Sequence, residues 1–440
     1  MNTKTPLPDA FVLTGAFWVI CRNSLYLTQL AERGLAILVL TPESYRRQVE
    51  EARSNPDSPV SRITDVAYAE GSLDKEASFN PSVVAAIQQW RTRYRIVGAF
   101  AVGETLVEPT GIIADALGIR SPGLRATRTC RSKYLQRFYL NAFSPDSVMV
   151  PPEQRHRIST EGLAYPLIIK PATRHSSSGV ISVDSPQQAS RALADYPAHE
   201  TLLLEQKIAG QEYSVETLSQ NGVVIFASAT HKVTTDTHSN TFVELAHTVP
   251  NPDKNSALLL EVTQKVLTAL DFGDGIAHAE WRVDASGRPW LMEIASRTPG
   301  DGILPLYNLA YGQPLEPVIL RIMLGEPAAL PTPGRIARQV YLEHTPGILK
   351  DVRIDWPGVE IAWLNDNDPW PVVPAGGQDD EPTLRAVFIH KQRGARLEPL
   401  RSSEDRAVVF FIDARSAQEL DRLEKQVREK ITLHIEGYHD

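Results

Sequence analysis

Residues 278–302 read HAEWRVDASGRPWLMEIASRTPGDG, the pattern of two short strands joined by a tight turn. Ile276 to Val283 is apolar or alternating, Asp284-Ala285-Ser286-Gly287 is turn-forming, and Arg288 to Ala295 resumes the strand. A four-residue loop sets Val283 opposite Arg288, Leu291 opposite Glu280 and Glu293 opposite His278. Side chains alternate across a strand, so His278, Glu280, Leu291 and Glu293 share one face. Glu280 and Glu293 are then diagonal neighbours, close enough to share one or two hard cations. Mg²⁺ is commonly held by one or two carboxylates, with phosphate and water oxygens completing its shell. Arg297 and the loop Gly300-Asp301-Gly302 follow directly. The segment taken alone also reads as a surface hairpin with two solvated glutamates, and the rest of the chain decides between the two.

A chain of 440 residues is too long for one ordinary core and predicts several domains. Its 42% hydrophobic and 22% charged content is that of a globular enzyme. A net charge of -8 argues against nonspecific binding to nucleic acid or anionic membrane. The two cysteines, Cys21 and Cys130, are too few for a disulfide framework or a zinc site. With no signal-like N-terminus and no run of membrane-spanning length, the expectation is a cytoplasmic protein.

Ahead of the hairpin, Ala10 to Leu13, Leu35 to Leu40 and Ile96 to Ala101 read as strands alternating with helices. One helix, Pro81 to Tyr94, is expected to carry Val84, Ile87 and Trp90 on one face. This order predicts a parallel sheet in a doubly wound domain, with Glu104 at the carboxyl end of a strand, where ligands sit in such sheets. Glu104 also reads as a favourable charge at a helix N-terminus. No GxGxxG follows the first strand, so no dinucleotide site is expected. Ser121 to Pro152 is basic and largely helical, a face expected to be mostly solvated apart from Lys133.

Next, Tyr165 to Lys170 is an apolar strand ending in lysine, followed by the loop Pro171 to Gly179. Thr201 to Glu205 is a strand leading into a hinge, and Gln211 to Leu218, Val223 to Thr230 and Phe242 to Val249 are antiparallel strands. Asn255 to Leu270 is an amphipathic helix. After Gly325 a proline-rich stretch marks a boundary. The tail holds a strand at Ala407 to Ile412 and a helix capped from Ser416, with no functional constellation.

These parts suit nucleotide handling. A lysine is a point charge for phosphate oxygens, a loop of small residues lets backbone N–H groups approach phosphate, and a hinge presents backbone groups to an adenine edge. In this order they resemble the ATP-grasp superfamily over roughly residues 100 to 325. The resemblance implies an α/β chain, α+β in its ATP-grasp part. It would have a doubly wound preATP-grasp domain at 1–120, a nucleotide-binding lid at 121–200, a catalytic subdomain with a central antiparallel sheet at 201–325 and a C-terminal α/β domain at 326–440. By the same resemblance Lys133 and Lys170 contact the nucleotide phosphates and His175, Ser176, Ser177, Ser178 and Gly179 form a mobile phosphate loop. Glu205, Gln206 and Ile208 form the adenine hinge, Glu212 binds ribose, and Glu280 and Glu293 hold Mg²⁺ (or Mn²⁺) beside ATP. Met292 joins the nucleotide set, although it and Trp290 read equally as core residues.

Many ATP-grasp proteins carry an asparagine two residues after the second glutamate, where this chain has Ala295. That version resembles the L-amino acid ligases, the bacilysin-type and related antibiotic-pathway enzymes. The resemblance implies a carboxylate–amine ligase making dipeptides from small-molecule amino acid or carboxylate substrates, with a homodimer as one assembly. Glu244 and His247 resemble that group's substrate-binding pair, and Glu104 resembles its N-terminal substrate carboxylate. Arg297 and Gly300 resemble the residues that meet the acyl phosphate. Asp301 stands where the bacilysin-type enzyme has a tryptophan that limits the pocket.

The bland readings stay beside these. His247 in an apolar strand reads as a structural histidine unless a bulge turns it toward Glu244. His231, Lys232 and His238 read as solvated loop residues, His278 as a residue that orients Glu293, and Asp301 as the cap of a helix over Ile303 to Ala310. Rival activities are a ligase using a non-amino carboxylate and a biotin-dependent carboxylase, the latter disfavoured by the lack of a Met-Lys-Met site. A degenerate nucleotide-binding scaffold is the non-enzymatic reading, and intact carboxylates and lysines weigh against it.

Overall fold

The computed structural model describes residues 6–174, 177–239, 241–365 and 368–438. The N-terminal strands form the expected parallel sheet, ordered Asp65–Ala69, Ala36–Pro42, Asp9–Thr14, Arg95–Ala101. Asp9–Thr14 is buried almost throughout, as a strand covered on both faces must be. The helix Asn80–Trp90 buries Val83, Ile87 and Trp90, whereas Val84 is exposed. The true stripe follows the i, i+4, i+7 spacing, one position away from the one expected.

A second, four-stranded antiparallel sheet is ordered Ser147–Val150, Leu202–Gln206, Leu167–Pro171, Ile181–Val183. The helix Pro186–Asp195 packs on it through Ala189 and Leu193, started by Ser185 accepting from the Gln188 N–H. Leu202, Leu203 and Leu204 are all buried here, so the strand before the hinge belongs to this sheet rather than starting the next.

The third sheet dominates the chain. Its nine strands run in the order Pro289–Ala295, Gly275–Val283, Gln211–Gln220, Val223–Thr234, Glu244–Val249, Ile336–Leu342, Val408–Ala414, Thr383–Ile389, Ile361–Trp363. All neighbours are antiparallel except the last pair. The sheet passes unbroken from Glu244–Val249 to Ile336–Leu342, so the proline-rich stretch after Gly325 does not end the central sheet. One face packs on the helix Ser256–Ala269 through Leu259, Val262 and Val266 against Trp281 and Leu291.

The hairpin that organises this sheet departs from the expected register. Val283 pairs with Pro289, Trp281 with Leu291, Glu280 with Glu293 and His278 with Ala295, with a bulge between Glu280 and Trp281. The turn is one residue longer than expected and the bulge adds another; together they bring Glu280 directly opposite Glu293 instead of diagonal to it, and remove His278 from Glu293.

Gly210, between the hinge and the next strand, has φ +144°. A Cβ there would lie 2.1 Å from the Val283 carbonyl oxygen, at the turn end of the hairpin. That neighbour is backbone and cannot swing away, so only glycine fits. Gly210→Ala is expected to lower the melting temperature by several degrees, equivalent to about 1–3 kcal/mol. An unchanged melting curve would show that the hinge does not need this close approach.

Candidate functional site

A cavity of about 800 Å³ lies where the three sheets meet. At one end is a buried charge cluster built by all the parts that meet there. Lys170, the last lysine of its strand, sits 2.6 Å from Glu205, and Arg137 holds the same carboxylate at 2.6 Å and 3.2 Å. Arg137 also donates to the Met292 carbonyl at 2.7 Å. Two cations therefore share one carboxylate. Burial pulls the Lys170 ammonium down to about 8, with Arg137 and Lys133 adding to the effect and Glu205 only partly offsetting it. Burial pushes Glu205 upward, but its two cations more than reverse this and hold it at about 2. The Glu205 carboxylate is thus committed to the interior, and its backbone is paired within the lid sheet. Glu205, Gln206, Lys207 and Ile208 all line the cavity. The basic helices are only partly a solvated face: Arg125 and Arg128 are exposed, whereas Arg137 is buried and Arg131 bonds the carbonyls of Thr173 and Leu73.

Lys133 lies 3.0 Å from Glu293 and donates to the Arg174 carbonyl. Ser177, Ser178 and Met292 line the cavity. Ser177, in the left-handed region at φ +57°, donates to the Phe242 carbonyl, and the Tyr196 hydroxyl donates to the carbonyl of Gly179 at 2.6 Å. His175 and Ser176 lie outside the described residues.

In the middle of the cavity the carboxylates gather. One oxygen each of Glu212, Glu244 and Glu280 lies within 4.8 Å of the others, a hard-oxygen donor set of the kind Mg²⁺ prefers. Glu293 faces Glu280 across the hairpin but is paired with Lys133. Lys232, expected in a solvated loop, is instead a strand residue buried at 2% exposure, 2.5 Å from Glu280 and 3.7 Å from Glu212. Burial disfavours its charge, but Glu280, Glu212 and Glu244 more than compensate and raise its pKa. Its alternation between apolar Val224–Ala229 and Val233 was a signal that the strand runs on past Thr230. Glu212 also pairs with Arg282 at 2.7 Å. His278 bonds Glu216 at 2.7 Å and Glu280 at 3.2 Å, so it orients Glu280 rather than Glu293. Glu216, which sequence reasoning passed over, is fully buried and is satisfied by Ser214, Thr230, Tyr307 and His278.

The far end is built from the hairpin's exit and the C-terminal residues. Glu104 takes Arg297 at 2.8 Å and Arg131 at 3.5 Å, which a plain helix-end charge would not do. Glu244 and His247 both line the cavity because of the bulge the reading required: Val233 pairs with Ala246 but Thr234 pairs with Glu244. Burial and nearby Asp301 raise the Glu244 carboxyl above its ordinary value, against Lys232 and Arg406. Burial drives His247 down to about 3, leaving it neutral, with Nδ1 2.6 Å from the Gln339 amide nitrogen. Asp301 is not a helix cap. The helix Ile303–Tyr311 is preceded by Gly302 and shows no side-chain cap, while Asp301, at φ +55°, binds Arg406 through both oxygens and lies 3.8 Å from His247. Arg406 also donates to the Glu244 carbonyl at 3.1 Å and sits over the Tyr341 ring. The C-terminal segment, expected to carry no functional constellation, thus supplies Tyr341, His390, Lys391, Ser403, Glu404 and Arg406 to the cavity wall. No periodicity in the sequence ties these positions to the hairpin; only the continuous sheet brings them there.

Residues 163–305 match the ATP-grasp domain model. The ATP-grasp enzyme fsqD of Aspergillus fumigatus is 28% identical over 208 residues, which cover 42% of this chain and 36% of that protein. A D-alanine–D-alanine ligase of Ectopseudomonas mendocina is 29% identical over 168 residues, 37% of this chain and 53% of that protein. The chain thus spans only about a third to a half of the length of these curated relatives. Among solved structures, an L-amino acid ligase from Bacillus licheniformis superposes with TM-score 0.70 at 17% identity, covering 98% of this chain and 100% of that one. Phosphoribosylglycinamide synthetase from Anaerococcus prevotii gives 0.65 at 14% identity, covering 97% and 100%. This chain thus carries an ATP-grasp domain over residues 163–305, and its fold along nearly the whole length is similar to that of these solved structures.

Proposed function

We propose that the protein is an ATP-dependent carboxylate–amine ligase that joins the carboxylate of one amino acid to the amino group of another. The observation that carries this reading is the layout of the cavity of about 800 Å³. A buried surplus of positive charge lies at one end, carboxylates lie in the middle, and an arginine–glycine turn with Glu244 and His247 lies at the other. The names of the L-amino acid ligase neighbour and the D-alanine–D-alanine ligase relatives support the same class of reaction.

In this reading Lys133, Lys170 and the loop of Ser177, Ser178 and Gly179 receive the triphosphate, Gln206 and Ile208 meet the adenine edge, and Glu212 meets the ribose. Glu280 and Glu293 would hold Mg²⁺, which when bound neutralises the phosphoryl group in transfer. The substrate carboxylate attacks the γ-phosphorus, ADP leaves, and an acyl phosphate remains. The amine then attacks the acyl carbon and phosphate departs. Arg297 and the Gly300 N–H would donate to the oxyanion of that step. The amine proton needs an acceptor, and Glu244, whose proton affinity burial has raised, is better suited than His247.

Glu280→Gln and Glu293→Gln should each reduce turnover by at least about a thousandfold, with the fold intact by circular dichroism. Near-normal rates in both would remove the metal assignment. The product nucleotide should be ADP, and detection of AMP and pyrophosphate would refute attack at the γ-phosphorus.

The Lys170 cluster gives a pH prediction. Its pKa of about 8 without nucleotide leaves the side chain charged at pH 6.5 and largely neutral at pH 9.5. A bound triphosphate favours the charged form, so binding at the higher pH must take up a proton. Calorimetry of ATP-analogue binding in buffers of different ionisation enthalpy should show uptake approaching one proton at pH 9.5 and little at pH 6.5, attributable to Lys170 if Lys170→Arg abolishes the difference. Equal uptake at both pH values in the wild type would contradict the role given to Lys170.

A further inference from the structure

Beyond Asp301 and Arg406, the cavity wall is completed by the helix Phe17–Arg22 of the N-terminal domain. Its last residue, Arg22, lays its guanidinium 3.5 Å from the centre of the Trp370 ring. Among the described residues Arg22 makes no hydrogen bond and no ion pair, yet it lines the same cavity as Arg297 and Gly300. The nearby anions are already taken. Asp301 uses both oxygens on Arg406, and Glu244 accepts from Ser403. Beside Arg22, His390 packs between Tyr341 and Trp370, with an Nε2 that is shut off from solvent and has no partner.

A guanidinium held over an indole is restrained, and its N–H fork matches a planar oxyanion in two-point contact. Arg22 is partly buried, and leaving such a group partly desolvated and unpaired is costly. The burial of Arg22 does lower its hold on its proton, to about 10, because desolvation outweighs the help from Tyr341 and Asp301. Burial likewise keeps His390 neutral, with a pKa near 3, so its Nε2 is free to act as a donor without adding charge. The wall around this fork is aromatic, with Trp18 and Tyr45 from the N-terminal domain and Tyr341 from the central sheet, which suits a carbon skeleton ending in an acid.

We propose that Arg22, backed by Trp370 and joined by His390, binds a carboxylate on the amine-bearing substrate, distinct from the carboxylate that is phosphorylated. The inference rests on the ligase reading and deepens it: it names the group that recognises the acceptor's own carboxylate and so discriminates an amino acid from a simple amine or an amino acid amide. Arg22 is a binding residue in this account and touches no reacting atom.

The test uses the full-length protein with Mg²⁺ and a panel of amino acids, each beside its own carboxamide. Binding is read by calorimetry in the presence of a non-hydrolysable ATP analogue, and turnover by ADP release with ATP. The wild type should bind at least one acid roughly ten- to hundredfold more tightly than its amide. In Arg22→Gln that preference should fall to near unity through the acid, with ATP-analogue affinity unchanged. Arg22→Lys, which keeps the charge and loses the fork, should fall between them, and unchanged melting temperatures exclude misfolding. In turnover the loss should appear in KM for the acceptor and leave kcat largely intact. Equal affinity of the wild type for acid and amide, no binding of either included, overturns the proposal, as does an unchanged preference in Arg22→Gln. If binding behaves as expected but no member of the panel stimulates ADP release, the ligase reading fails while the anion site stands.

Discussion

The cavity depends on one buried constraint, the sharing of Glu205 between Arg137 and Lys170. Arg137 comes from a helix, Lys170 and Glu205 from two paired strands of the lid sheet, and the Met292 carbonyl that Arg137 grips comes from the hairpin of the central sheet. Taking these charges out of water costs several kcal/mol per ion, and only their mutual attraction and hydrogen bonds offset it. Removing one partner of such a buried pair costs about 3–5 kcal/mol, because the other is left uncompensated. The cluster therefore ties three parts of the chain together. It also leaves a surplus positive charge beside a cavity, an arrangement stabilised by a polyanion.

The same logic repeats along the cavity. Lys133 pairs with Glu293, Lys232 with Glu280, Arg297 with Glu104, and Arg406 with Asp301. Each carboxylate offered to a metal or substrate is held by an internal cation, so none is buried unpaired. A ligand that enters exchanges partners within this network and does not meet bare charge, which keeps the donors oriented before binding. The hairpin bulge at Glu280 and the bulge at Glu244 are what turn these side chains to one side. Two local irregularities in otherwise regular strands thus decide where the chemistry is presented.

Much of this arrangement was legible in the sequence, and the failures have definite causes. The parallel N-terminal sheet, the lysine-ended strand, the hinge and the paired glutamates all lie within short windows where periodicity and turn chemistry decide. The hairpin register shifts by two residues at Glu280, one from a longer turn and one from a bulge, and neither leaves a mark in an alternating pattern. Lys232 was misplaced because a polar residue next to a histidine resembles a loop, whereas burial opposite Glu280 depends on strands distant in the chain. Asp301 carried a helix-cap signature, yet its positive φ and the distant Arg406 claim it for another partner. Arg406, His390 and Arg22 could not be found by pattern at all, since they meet the hairpin only through a nine-stranded sheet and an interdomain contact.

The claim on which this account rests is that a carboxylate oxygen of the substrate attacks the γ-phosphorus of ATP. The most direct measurement is the fate of that oxygen. With a substrate labelled with ¹⁸O in its carboxylate, the account predicts that one labelled oxygen per turnover appears in the released inorganic phosphate, read by mass spectrometry. Phosphate free of label, with the oxygen lost from the carboxylate recovered in AMP or in water, would contradict it.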